Sequence, residues 1–149
     1  MSTLTESRAG SDLATRLERV RMASFGALTM LILQFVLGTA YNLYGTAPTG
    51  TKSVGLFSSP LLAIHVVLGI LLIIAAAFLV FRAAQARAGA GAVLAASIVG
   101  LLAILAAAGD GSAFAHNGAN GASLGMAIGT AIAMLCYAAN LVILGKRRG

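Results

Sequence analysis

Apolar positions in this chain gather into four long runs. Residues 24–43, 61–81, 89–108 and 122–144 contain no Asp, Glu, Lys or Arg and are 20, 21, 20 and 23 residues long. A helix rises ~1.5 Å per residue, so twenty residues cross the ~30 Å hydrocarbon layer of a bilayer. The runs lack period-two alternation, and backbone groups in lipid must be satisfied within their own segment, so the pattern predicts helices and not barrel strands. Short connections favour antiparallel neighbours. The expected fold is all-α, a polytopic membrane protein with four transmembrane helices in an up-down-up-down bundle. Ahead of the first run, residues 1–10 are small and polar and read as a mobile leader. Leu13, Leu17 and Val20 then recur at helical spacing between Arg16, Arg19 and Arg21. That pattern suits a short juxtamembrane helix at an anionic lipid surface, or a solvated helical lead-in to the first span.

Composition agrees with the pattern. Of 149 residues 59% are hydrophobic and 9% charged, against roughly 25% charged in soluble domains, which leaves little chain for an extramembrane domain. The net charge of +6 suggests nucleic acid only until its distribution is seen. Arg8, Arg16, Arg19, Arg21, Arg82, Arg87, Lys146, Arg147 and Arg148 all fall on one side of the four runs, and Lys52 alone falls on the other. The positive-inside rule then places both termini in the cytoplasm. Residues 1–23 become a cytoplasmic leader, 24–144 the transmembrane domain and 145–149 a basic tail, in a bacterial plasma membrane with lipid, not nucleic acid, as the partner of the charge. A cleaved signal peptide is the competing reading of the first run, but the run is long and its removal leaves an odd number of spans.

Several chemistries fall away. A single cysteine, Cys136, excludes an intrachain disulfide, a CxxC redox pair and a cysteine-built metal site. The four runs carry no carboxylate, which argues against transport through an acidic relay, and GxSxG, HExxH and P-loop patterns are missing. Asp110, among glycines and a serine, reads as a turn or N-cap residue.

In lipid, helices approach closely where side chains are small. Gly121, Gly125, Gly129 and Ala133 repeat every four residues in the fourth run and predict a contact face, either within the chain or toward a homo-oligomer or another membrane subunit. The alanine-rich third run fits a helix buried among neighbours.

Polar residues inside spans are costly and so point to function. Gln34 and Gly38 share a face of the first run, and Tyr41 and Tyr44 at its end suit an interfacial aromatic belt. Ser59 and Pro60 read as an N-cap and first helical residue, which sets His65 near the outer end of the second span, with Gly69, Leu72 and Ala76 below it on one face. His65 therefore either donates one hydrogen bond to a neighbouring helix or ligates the iron of a flat macrocycle, for which the small residues leave room. His116, before the fourth run, reaches the same iron only if residues 117–121 break the helix and fold it back. Met126, at a depth similar to His65, is the other candidate for the second axial position. Cys136 and Tyr137 lie toward the opposite end.

The stretch from Gln34 to Leu71, QFVLGTAYNLYG followed by SPLLAIHVVLGIL, resembles one half of the haem A synthase family, covering about a quarter of the chain. In that family a glutamine-x-x-x-glycine run in one helix precedes a haem-liganding histidine near the outer end of the next. By resemblance, Gln34, Gly38, His65 and Gly69 match and His65 is the ligand of haem. This chain has four spans where the family has eight, and it lacks the family's paired extracellular cysteines and helix-borne carboxylate. What the resemblance implies is haem binding and not the synthase reaction. Two functions follow from the sequence. One is a b-type haem near the outer face, serving electron transfer or haem handling beside a respiratory complex. The other is a non-catalytic subunit or assembly factor of a larger membrane complex, without cofactor.

Overall fold

The computed structural model describes residues 2–45, 48, 53–86, 91–118 and 120–146. Lys52, Arg87, Arg147 and Arg148 of the charge pattern lie outside them. Four helices account for nearly all of this, α1 Ser2–Tyr44, α2 Pro60–Gln85, α3 Gly91–Asn117 and α4 Asn120–Gly145. Each includes a stretch long and apolar enough to cross a membrane, and only 17% to 28% of the most apolar window of each is buried within the chain. The remainder faces outward as leucine, isoleucine, valine and phenylalanine, for example Phe25, Phe78, Leu102 and Leu135. Such a surface suits lipid and not water.

α1 packs against α2 and α4, and α3 against α2 and α4, while the diagonal pairs make no contact among the described residues. Successive helices are therefore neighbours in a square, as expected for an up-down-up-down bundle. Cross-helix bonds confirm the alternation. At one end Arg16 Nη1 donates to the Gln85 carbonyl at 3.3 Å, and at the other Asn42 Nδ2 meets Ser123 Oγ at 3.1 Å. The first end carries Arg16, Arg19, Arg21, Arg82 and Lys146 and is called here the basic end, the other the far end.

Local sequence explains the helix ends. Ser59 is extended, with φ −141° and ψ 151°, and its hydroxyl accepts from the Leu62 amide, while Pro60 occupies the first turn where its missing N–H costs nothing. Two boundaries differ from expectation. α1 has no junction between the arginine-bearing lead-in and the first span, so the expected short juxtamembrane helix is the first part of one 43-residue helix. α3 does not stop at Ala108 but continues to Asn117, because AGDGSAFAHN contains no proline and a helix tolerates its glycines. Asp110 is accordingly neither a turn nor an N-cap residue. It stands inside α3 with its carboxylate against Gly125 of α4. The chain reverses at Gly118, whose φ of 66° suits glycine.

The small-residue stripe of α4 is spent mostly within the chain. A Cβ on Gly129 would stand 2.8 Å from the Ala103 carbonyl oxygen and 3.1 Å from the Ala107 Cβ, and Ala133 is fully buried. Toward the basic end, Tyr137 of α4 lies over Gly100 of α3, where a Cβ would come within 2.6 Å of its ring. Gly121 meets nothing within 4 Å.

Candidate functional site

At the far end the four helices border a half-open cavity of about 430 Å³, within the range of small-molecule sites. α1 contributes Gln34 and Gly38, α2 His65 and Gly69, α3 Ala107 and Ser112, and α4 Met126 and Thr130, while Pro48, Val54 and Leu56 of the α1–α2 connection add to the wall. That connection is fastened to α3 by a bond from the Val54 amide to the Ala115 carbonyl at 3.0 Å. Most lining residues are apolar, and among the described residues none is Asp, Glu, Lys or Arg.

Gln34 and His65 face each other across the α1–α2 interface. Gln34 Nε2 lies 3.0 Å from the His65 carbonyl oxygen and 3.1 Å from His65 Nε2. Each side chain fits a notch made by a glycine of the opposite helix. A Cβ on Gly38 would stand 3.0 Å from His65 Cε1, and one on Gly69 would stand 3.0 Å from Gln34 Nε2. The spacing glutamine-x-x-x-glycine on α1 and histidine-x-x-x-glycine on α2 is therefore one interlocking device. Of the small residues expected to leave room for a macrocycle below His65, Gly69 is covered by the Gln34 amide. Two polar atoms of the pair, Gln34 Oε1 and His65 Nδ1, are buried without a hydrogen-bond partner among the described residues.

The other sequence candidates divide. Met126 shares the cavity wall with His65, and its sulfur sits where a Cβ on Gly111 would be 3.1 Å away. His116 does not line this cavity. It is an exposed residue in the last turn of α3, beside a smaller hollow of about 170 Å³ whose wall shares Val54, Leu56, Ser112 and Ala115 with the larger one. The backbone does reverse just after it, at Gly118, but this leaves His116 at the mouth and not beside His65. Ala119, within the glycine- and asparagine-rich run, lies outside the described residues. Tyr44 is 85% exposed, as an interfacial ring would be, whereas Tyr41 lines the cavity.

Histidine and methionine are a known pair of axial haem ligands, and His65 and Met126 both line this cavity. Two features stand against a haem as arranged: His65 Nε2 is engaged by the Gln34 amide, and among the described residues the lining offers no Arg or Lys to propionates.

A second polar group sits toward the basic end and was not anticipated. Ser24 of α1, Ser97 of α3 and Asn140 of α4 are all 0% exposed. Asn140 Nδ2 donates to Ser97 Oγ at 3.1 Å and to Ser24 Oγ at 3.5 Å, and Ser97 Oγ donates to the Val93 carbonyl at 2.7 Å. The signal was present: an asparagine within an apolar run is costly in lipid unless bonded across helices. Comparison with protein-family models, with characterised proteins and with solved structures finds no match for this chain.

Proposed function

We propose that this chain is a multi-pass protein of a bacterial plasma membrane, its basic end in the cytoplasm, that holds a predominantly apolar small molecule in the far-end cavity. The Gln34–His65 pair is the polar end of that site. One observation carries the reading: a cavity of about 430 Å³ with largely apolar walls, to which all four helices contribute and which the hydrogen-bonded Gln34 and His65 both line. Charge asymmetry supports the orientation, because Arg16, Arg19, Arg21, Arg82 and Lys146 all lie at the basic end and, among the described residues, no Lys or Arg lies at the far end.

The test is the identity of what co-purifies. Extraction of purified protein followed by mass spectrometry is expected to yield one small molecule near one per chain. Ala127→Trp, which fills the cavity from α4, is expected to remove it. A chain that carries nothing, yet co-purifies stoichiometrically with a larger complex, would refute the reading in favour of a non-catalytic subunit or assembly factor.

Haem b is a second reading, favoured by His65 and Met126 lining one cavity. It requires the imidazole to exchange the Gln34 amide for iron, and it would serve electron transfer or haem handling beside a respiratory complex. A Soret band with reducible α and β bands, lost in His65→Ala, supports it. A colourless preparation of the intact protein counts against it.

A further inference from the structure

We infer that the far-end cavity takes a linear hydrocarbon chain along the bundle axis, and that Leu31, Leu72 and Ile104 at its floor set the length of that chain. This rests on the cavity being a ligand site, as proposed above, and adds the class of ligand and what selects it.

Buried positions recur at alternating steps of four and three. On α1 they are Val20, Ser24, Ala27 and Leu31, and the other three helices keep the same alternation. Such spacing stacks one residue from each helix into successive layers. The register follows from cross-helix contacts: Asn140 bonds Ser24 and Ser97, Gln34 lies on Gly69, His65 on Gly38 and Met126 on Gly111. Leu31, Leu72, Ile104 and Ala133 then form one layer, and all four are buried. The next layer toward the basic end is Ala27, Ala76, Gly100 and Tyr137, where one ring fills what three small residues leave.

Toward the far end the same steps continue over layers that are not filled. These are Gln34, Gly69, Ala107 and Thr130, then Gly38, His65, Gly111 and Met126, and all eight residues line the cavity. Leu31, Leu72 and Ile104 line it too, whereas no residue of the Tyr137 layer does. The cavity is therefore the unfilled continuation of the bundle core, and it ends at the leucine and isoleucine floor. From Tyr41, which lines it at the mouth, to Leu31 is ten residues, about 15 Å along the axis. A compact occupant would leave one of the two layers empty and its lining without contacts.

Polarity runs the same way. In the unfilled layers Gln34 bonds to His65, and Thr130 Oγ1 donates to the Met126 carbonyl at 2.8 Å. The floor below them is apolar, while Tyr41, Asn42, Ser112 and Ser123 stand around the mouth. A slender molecule that is polar at one end only matches this order. A bilayer presents such molecules in the same orientation, head at the surface and chain toward the midplane. An extended chain advances about 1.2 Å per bond, as a backbone does over three bonds per residue, so about twelve carbons reach from mouth to floor. Further methylenes must press into the Tyr137 layer or lift out of apolar surroundings at the mouth. Each one lifted out corresponds to about fourfold in binding.

Labelling from the chain end tests the length. Full-length protein in lipid nanodiscs is irradiated with single-chain phosphocholines of eight, twelve or sixteen carbons that carry a terminal diazirine, and adducts are located by mass spectrometry. The twelve-carbon probe is expected to mark Leu31, Leu72 or Ile104, and the sixteen-carbon probe to mark them at least about fivefold less. Leu72→Ala is expected to bring the sixteen-carbon probe up to the twelve-carbon yield, because the lost side chain leaves room for the extra methylenes. Equal floor labelling at all three lengths, or a length preference unchanged in Leu72→Ala, would overturn the inference. If the chain probes mark only outward residues such as Leu102 and Leu135 while a compact naphthyl azide marks the cavity wall, the chain is refuted and the ligand site stands. If neither kind of probe marks the wall, both fall. The length series on the wild type decides even where Leu72→Ala fails to fold.

Discussion

Substituting alanine at Gly129 and at Gly121 makes the same chemical change at two points of one stripe, and the surroundings differ sharply. At Gly129 the new methyl would stand 2.8 Å from the Ala103 carbonyl oxygen and 3.1 Å from the Ala107 Cβ. Neither is the far end of a flexible side chain, so α3 and α4 must separate. At Gly121 the same methyl meets nothing within 4 Å. Gly129 is interior to α4 and gains helix propensity of about 0.5–1 kcal/mol, whereas Gly121, in the first turn, gains somewhat less. The difference is then the overpacking cost of about 1–3 kcal/mol reduced by a few tenths, with Gly129→Ala the less stable. Reversible unfolding in mixed micelles of increasing SDS fraction, followed by far-ultraviolet circular dichroism, measures it. Equal stabilities would refute the assignment of the stripe to the α3–α4 contact. So would a Gly121→Ala protein that is destabilised and changes oligomeric state, since the stripe would then face a second chain.

Three further outcomes are expected. Asn140→Leu removes the bonds to Ser97 and Ser24 while keeping the same branching and heavy-atom count, and should lower stability by about 0.6–1.7 kcal/mol or more in the same SDS titration, the range for interhelical bonds in lipid to which the bulkier methyl groups add. Gly118→Ala should cost about 1–2 kcal/mol or more, because φ is 66° and the added Cβ meets the Pro48 carbonyl; hydrogen exchange at the Val54 amide, bonded to Ala115, should rise with it. Gly38→Val should displace the imidazole, whose Cε1 leaves room for no Cβ beyond 3.0 Å, and so abolish ligand co-purification while far-ultraviolet ellipticity stays near the wild-type value.

Four spans were legible because lipid imposes a length and forbids charge, and both leave a plain mark on the sequence. Their ends were less legible. Hydropathy falls at Asp110 while the helix runs on to Asn117, since hydrogen bonding continues wherever proline does not interrupt it, whatever the side chains prefer as solvent. Gln34, Gly38, His65 and Gly69 stood out as polar or small residues at matched spacing. That they close on one another depends on the sliding register of α1 against α2, which no spacing within a single helix specifies. The same limit separates His116 from His65: chain order sets them on α3 and α2, and only the bundle's geometry shows that one stands at the mouth and the other within. Asn140 was overlooked beside the histidines although its cost in lipid is comparable, and the bonds from its Nδ2 to two serines form only once three helices are assembled, with Oδ1 buried and unpartnered among the described residues.

The length of α1 has a mechanical corollary. From Arg16, which grips the last carbonyl of α2, to Gln34 the backbone ladder runs eighteen residues without interruption, about 27 Å of stiff rod. Such a rod absorbs little by bending. Torque or thrust applied to its arginine-bearing stalk is therefore delivered to the amide seated opposite Gly69, where clearance is measured in tenths of an ångström.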